Sequence, residues 1–328
     1  MTAPAVSVLV KAYNHAPYIA RAIESILDQS FQDFEIIITD DASTDATLEV
    51  ARRYRDPRIK LDGFSRNQGI SGAMNATIAR ASGRYFAILN SDDWALPGRL
   101  QQQVSAMEAN PAVSVVFGLP SIVNEAGAPA RGFNDFSQPL RFEDFSRRSW
   151  LRQFFFLGNC VCAPTAMVRR EAYEAVGLYD RRLTNLQDLD MWIRMLIAGR
   201  DMLVLPVHLT AFRIRDDMAN MSAPRPDTQL RTMFEMTRIL RRFADFDPAL
   251  CDEVFGGDPD VEPRRRIAEL AARDPRAIYQ SFALDLLYES ARDTDDFDRL
   301  RLLSGQIDAY GIARTHELVR TIQRLAGE

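Results

Sequence analysis

The first 120 residues alternate short, mostly apolar runs with segments of helical periodicity, and this alternation restricts the fold more than any other feature of the chain. VSVLV (6–10), FEIIIT (34–39), RYFAIL (84–89) and VSVVFG (113–118) read as strands buried on both faces, and RIKLD (58–62) as a weaker one. Between them, PYIARAIESILDQ (17–29) carries apolar residues at helical spacing, with Pro17 suited to a first turn. ASTDATLEVARRY (42–54) opens with capping residues, GISGAMNATIARASG (69–83) reads as a small-residue helix, and PGRLQQQVSAMEANP (97–111) as another. Such strands joined by helices predict an α/β fold: a mostly parallel sheet flanked by helices on both faces.

In a sheet of this kind ligands bind beyond the carboxyl ends of the strands. Three polar groups fall at such ends. Lys11, Tyr13 and Asn14 follow the first strand, Asp40 and Asp41 the second, and Asp92 and Asp93 of LNSDDW the fourth. Adjacent carboxylates repel, and burying them is unfavourable unless a cation or a hydrogen-bond network compensates. Either Asp92 and Asp93 lie in a solvated turn, or something positive binds there.

Composition narrows the classes. With 47% hydrophobic and 26% charged residues the chain is ordinary globular material, and a net charge of −5 gives no basic field for nucleic acid. Of its 40 basic side chains only Lys11 and Lys60 are lysines. Three cysteines do not make a disulfide framework and point to a reducing compartment. Cys160 and Cys162 are too close in sequence for the usual zinc spacing and are expected as small core residues on a strand. MTAPAVSVLV has no basic start followed by a long apolar run, so it does not read as a signal peptide. The apolar stretch FFFLGNCVCA (154–163) is too short to span a bilayer. A cytoplasmic protein without a transmembrane segment is expected. RRSWLRQFFF (147–156) could touch the inner face of a membrane, although a helix packed on its own domain is the favoured reading.

Residues 121–226 are less regular, apart from a helical pattern with an acidic start in LQDLDMWIRMLIAG (186–199). From 227 onward the patterns are helical, as in TQLRTMFEMTRILRRFADF and DFDRLRLLSGQIDAYG. A boundary is therefore placed after APRP. It separates a domain over 1–226, made of halves 1–120 and 121–226, from a helical extension over 227–328.

Three segments together resemble the family 2 inverting glycosyltransferases of GT-A fold found in bacterial cell-surface glycan assembly. They are VSVLVKAYNHAPYIARAIESILDQSFQDFEIIITDDASTDATLEVA, NSDDWALPGRL and VGLYDRRLTNLQDLDMWIRMLIAG, and the resemblance covers roughly residues 5–222. It implies a Rossmann-like nucleotide-binding half (1–120) and an acceptor-side half (121–226). It also implies roles. Tyr13 would stack on the base of a nucleotide-sugar and Asp41 would accept a hydrogen bond from it, with Asn14 alongside. A carboxylate there suits the N3–H of uracil or thymine, hence a UDP- or dTDP-sugar. Alone, Asp41 would read as a turn or N-cap carboxylate; its company at the sheet edge favours the donor role. Asp92 would contact the ribose. Asp93, with Asp92, would bind a divalent cation, Mn²⁺ or Mg²⁺, bridging the diphosphate. Asp188 would be the catalytic base, with capping of the helix that reaches Gly199 as its alternative and Asp190 on the same turn as its rival. Arg66 falls where the family sometimes has a basic donor contact.

The chain departs from the family at several positions. Asn90 stands where Asp is frequent, Gln187 where Glu precedes the base, and Arg215 of FRIRDD where a histidine is usual. An arginine cannot ligate a metal but can clamp a phosphate, so Arg215 is expected on the diphosphate; a surface arginine is the equal alternative. His15 and His208 are expected to be structural or solvated. Lys11 stands where the family has a small residue and is left unassigned. The implied acceptor is a glycan, a lipid-linked glycan or a protein. Two other readings stay open: a catalytically inactive nucleotide-sugar or partner-binding module, kept alive by these departures, and a nucleotidyltransferase, against which KAYNHAPY lacks a glycine-rich phosphate loop. The helical extension is expected to serve homo-oligomer or partner contact.

Overall fold

The computed structural model describes residues 3–130, 137–141, 145–216, 220, 225–291, 298 and 301. The chain divides into two compact units, Met1–Gln229 and Leu230–Glu328.

The first unit is built on one eight-stranded sheet. Its strands are β1 (Val6–Ala12), β2 (Phe34–Asp40), β3 (Ile59–Gly63), β4 (Tyr85–Asn90), β5 (Trp94–Ala95), β6 (Val113–Val123), β7 (Met167–Arg169) and β8 (Asp201–Arg213). They lie in the order β3-β2-β1-β4-β7-β6-β8-β5. β3, β2, β1 and β4 are parallel, as the apolar runs predict. β7 then pairs antiparallel with both β4 and β6, β6 and β8 are parallel, and β5 is an antiparallel edge. The sheet is therefore mostly parallel but mixed.

The helices of this unit are α1 (Ile19–Leu27), α2 (Thr47–Ala51), α3 (Gly69–Arg80), α4 (Arg99–Ala109), α5 (Arg147–Phe156), α6 (Arg170–Val176) and α7 (Gln187–Ile197). α1 buries Ile19, Ala22, Ile23 and Ile26, its i, i+3, i+4, i+7 stripe, against the sheet. Each of the three isoleucines contributes about 1.5–3 kcal/mol on burial. α5 buries Trp150, Leu151, Phe154 and Phe155, and Trp150 Nε1 donates to the Met202 carbonyl at 3.1 Å. Its aromatic face is thus packed on its own unit. No helix among the described residues is long and apolar enough to cross a membrane.

Three local expectations are corrected. The helix read over 42–54 is the five-residue α2. Ser43, Thr44 and Asp45 bond instead to Asp40, Asn14 and the backbone of Ala16, holding the chain in a loop before Thr47. Cys160 and Cys162 are free and buried, but they lie in a connecting segment and not on a strand. The stretch 121–226 holds a thirteen-residue strand, β8, that its sequence does not advertise. Pro206 lies where the β6–β8 register shifts, since it has no N–H for the ladder. Opposite, Gly118 lies so close to Leu209 that an added Cβ would stand 2.4 Å from its Cδ1.

Two features bring the site to one edge. β1, β2 and β4 are in register at their carboxyl ends, with Lys11 beside both Thr39 and Asn90 and Ala12 beside Asp40. The buried Arg99 ties β4 to β8, donating to the Ile88 carbonyl at 2.7 Å and to Thr210 Oγ1 at 2.9 Å. Burial pulls its pKa down to about 10.

The second unit is helical. α8 (Pro226–Ala244) begins at the boundary and is followed by α9 (Pro248–Phe255), α10 (Pro263–Ala272) and α11 (Ala277–Ser290). Ile239, Leu240, Phe243, Val254, Ile267 and Leu286 are buried in it. DFDRLRLLSGQIDAYG falls almost wholly outside the described residues.

Candidate active site

The loops after β1 and β2 are stitched together. Asn14 sits at φ +54° and Ala42 at φ +60°, left-handed values that asparagine tolerates and alanine rarely adopts. Asn14 N–H donates to Ser43 Oγ at 2.9 Å, and its side-chain Oδ1 accepts the Thr44 N–H at 2.8 Å. Asp40 accepts both the backbone and the hydroxyl of Ser43. Strain of this kind concentrates at functional sites. Tyr13 stands at the tip, half exposed, with its ring open to a ligand.

Asp41 is buried and its Oδ1 accepts the Gln68 N–H at 2.6 Å. It therefore meets the N-terminus of α3, not that of the following α2. Burial pushes its pKa up against the pull of the Gln68 and Gly69 N–H groups. Arg66 lies exposed on the same loop, its carbonyl accepting from Gln68 Nε2.

Asp92 and Asp93 are both buried, not in a solvated turn. Asp93 Oδ1 accepts the Arg213 N–H at 2.8 Å and Oδ2 accepts Asn90 Nδ2 at 2.9 Å. Burial, then the neighbouring Asp92, push its pKa well up; Arg213, Asn90 and Lys11 act against them. Arg213 Nε donates to the Asp92 carbonyl at 2.9 Å, and its guanidinium stacks 4.7 Å from the Tyr18 ring centre. Among the described residues no three His, Cys, Asp or Glu side chains are grouped to hold a metal by themselves. Two adjacent carboxylates that leave the remaining positions to a diphosphate and water nevertheless suit Mg²⁺ or Mn²⁺. Oxygen donors of this hardness fit either ion, so the residues present fit a shared metal site.

His15, expected to be structural or solvated, lies among the polar groups at this edge. Its Nδ1 pairs with Ser91 Oγ at 2.7 Å, and its Nε2 lies 3.7 Å from Asp92 Oδ2 and 3.4 Å from Arg215 Nη1. Arg215 therefore lies against His15, on the Asp92 side of the sheet edge. Burial lowers the His15 pKa, Arg215 and Lys11 adding to the effect and Asp92 opposing it. Arg213 is the missed residue. It lies on β8, for which the sequence carries no periodic signal. His208 pairs with Ser121 and the Pro120 carbonyl on β6, a structural role.

Asp188 and Asp190 both start α7, and their surroundings separate them. Asp190 is buried and paired with Arg194 at 2.8 Å. Asp188 is partly buried; its Oδ2 accepts Asn159 Nδ2 at 2.9 Å and its Oδ1 the Leu189 N–H at 2.8 Å. Burial raises its pKa; Leu189, Asn159 and Lys11 moderate the rise. A raised carboxylate pKa is what a general base needs. Burial lowers the Lys11 pKa, and the charges of Asp92, Asp93 and Asp188 oppose that effect.

The sequence model of "Glycosyl transferase family 2" matches residues 7–177. A protein of Bacillus subtilis strain 168 named as a teichuronic acid biosynthesis glycosyltransferase, TuaG, is 31% identical over 198 residues, 60% of this chain and 73% of that protein. Among solved structures, S. aureus TarS 1–349 in complex with UDP aligns with TM-score 0.56 at 16% identity, covering 93% of this chain and 91% of that one. The mannosyltransferase PcManGT of Pyrobaculum calidifontis, solved with GDP-Man and Mn²⁺, aligns with TM-score 0.54 at 17% identity, covering 100% and 89%. These likenesses show the GT-A fold.

Proposed function

Because the chain belongs to glycosyl transferase family 2 and is a glycosyltransferase, we propose that it moves a sugar from a UDP- or dTDP-sugar to an acceptor hydroxyl with inversion at the anomeric carbon. The observation that carries this reading is the meeting, at the carboxyl ends of β1, β2 and β4, of the buried Asp41, the buried Asp92–Asp93 pair and the His15–Arg215 contact.

Tyr13 stacks on the base and Asp41 accepts its N–H. Gln68 already occupies Asp41 Oδ1, and the acceptor capacity left over suits the single N3–H of uracil or thymine. Arg66 and Asn14 border this end of the crevice. Asp92 meets the ribose, and Arg215, with His15 beside it, faces the diphosphate. A Mn²⁺ or Mg²⁺ held by Asp93 and Asp92 would neutralise charge on the departing diphosphate. Asp188 takes the proton of the acceptor hydroxyl. That oxygen forms its bond to the anomeric carbon from the face opposite the diphosphate, the carbon–phosphate-oxygen bond breaks, and the nucleoside diphosphate leaves with the electron pair. The acceptor is a glycan, a lipid-linked glycan or a protein, and the name of TuaG favours surface-polysaccharide assembly.

Calorimetric titration with UDP, with and without Mn²⁺, tests the reading. Metal-dependent binding that Asp93→Ala and Asp41→Ala both lose supports it. If dTDP, GDP and CDP are also tried and none binds, the donor assignment fails; binding of GDP alone would move the donor to a guanine nucleotide.

A further inference from the structure

Lys11 is the one lysine of the crevice and has no part in the scheme above. It stands one residue before the end of β1, in register with Asn90 of β4. Its Nζ donates to Asn90 Oδ1 at 2.5 Å, and Asn90 Nδ2 donates in turn to Asp93 Oδ2 at 2.9 Å. The chemistry fixes this order. An ammonium has only donors, a carboxylate only acceptors, and a carboxamide between them must turn its oxygen to the lysine and its nitrogen to the aspartate. Burial lowers the Lys11 pKa, and the carboxylates of Asp92, Asp93 and Asp188 act against that effect. Lys11 acts back on Asp93 and Asp188.

We infer that Lys11 is a specificity-determining residue for the metal: it keeps the empty donor crevice from loading a divalent cation, so that the cation enters together with the nucleotide diphosphate. This rests on the reading of Asp92 and Asp93 as metal ligands. Two effects act in the same direction. The ammonium adds a positive charge beside two carboxylates that would otherwise attract a free dication, in surroundings where charges are poorly screened. It also holds the Asn90 oxygen turned from Asp93, so that this oxygen is withheld from a metal and Asp93 Oδ2 is already engaged. A diphosphate brings negative charge of its own and restores the balance. The metal then binds as a shared ligand of protein and donor.

Mn²⁺ binding without nucleotide, followed by the loss of the free-ion electron paramagnetic resonance signal, tests this directly. Lys11→Met removes the charge and keeps the aliphatic stem; Lys11→Arg keeps the charge. Lys11→Met should bind Mn²⁺ at least about tenfold tighter than wild type, a difference of about 1.4 kcal/mol. Lys11→Arg should stay near wild type, and the gain should vanish in Lys11→Met combined with Asp93→Ala. Mn²⁺ affinity that is unchanged or weaker in Lys11→Met, with the circular dichroism of a folded chain, overturns the inference, as does a gain that survives Asp93→Ala. If Lys11→Met does not fold, Lys11→Gln answers the same question. The assay uses the metal alone, so wild type failing to bind UDP would strike the donor assignment and leave this comparison intact.

Discussion

Asn159 donates its side-chain Nδ2 to Asp188 Oδ2 at 2.9 Å, from a connecting segment 29 residues before Asp188 in the chain. The bond favours the charged carboxylate, so it lowers a pKa that burial raises. Removing it by Asn159→Ala should raise the Asp188 pKa further. The acid limb of the kcat–pH profile should then move to higher pH, with the plateau less affected. Asp188→Asn should lose about 10²–10⁴-fold in kcat at every pH, the range for a missing general base. An acid limb that stays in place in Asn159→Ala would take Asp188 out of the base role.

Asp190 and Arg194 make the contrasting case. Their ion pair is buried, and Arg194 also donates to the carbonyls of Val176 at 2.7 Å and Leu178 at 2.9 Å. This pair fastens α7 to the segment after α6. Asp190→Ala leaves a guanidinium without its carboxylate and should destabilise the protein by about 3–5 kcal/mol. Urea unfolding measures this. Equal losses of kcat in folded Asp190→Ala and in Asp188→Asn would reverse the assignment of the base.

The elements legible in the sequence were those whose own residues carry the signal. β1, β2 and β4 are apolar runs, and the aspartates at their ends are polar where the run stops. β8 was not legible because Pro206, His208 and Thr210 interrupt its pattern and its partner β6 lies some 80 residues earlier. Arg213 went unread with it, although its backbone and side chain both hold the Asp92–Asp93 turn. His15 was hidden for a different reason. A single histidine in a loop has no periodicity, and only the folded register sets it between Ser91, Asp92 and Arg215. α2 is shorter than its residues suggest because Thr44 and Asp45, which resemble helix-capping residues, bond across to the β1 loop.

Glu35 anchors the opposite end of β2. Its Oε1 accepts Ser7 Oγ at 2.6 Å and the Ser82 N–H at 2.6 Å, and its Oε2 pairs with Lys60 at 2.5 Å. Burial alone would raise its pKa, but the bonds from Lys60, Ser7 and Ser82 outweigh it and the carboxyl lies below its usual 4.5. A depressed carboxylate pKa contributes stability that is fully present above the unfolded value and lost as pH falls through the folded one. Glu35→Gln should therefore be less stable than wild type at pH 7, by about 1.5–3 kcal/mol for hydrogen bonds to a charged group. The gap should narrow below about pH 4.5. Urea midpoints across pH test this, and a gap that is constant with pH would contradict it.

Asp41 has two tasks, and two substitutions separate them. Its Oδ1 holds the Gln68 N–H at the start of α3, and its remaining acceptor capacity is assigned to the base. Asp41→Asn keeps an oxygen for Gln68 but presents an NH₂ to the base, where two donors then meet. UDP affinity should fall by about tenfold or more, about 1.4 kcal/mol, with little change in melting temperature. Asp41→Ala leaves the Gln68 N–H without its acceptor, so it should lose UDP binding and also stability, about 1–3 kcal/mol. CDP offers an acceptor at N3 in place of a donor, so it should bind Asp41→Asn better than it binds wild type. Calorimetry with both nucleotides on both variants checks the pattern. UDP affinity preserved in Asp41→Asn would remove Asp41 from the base site and leave it as the cap of α3 alone.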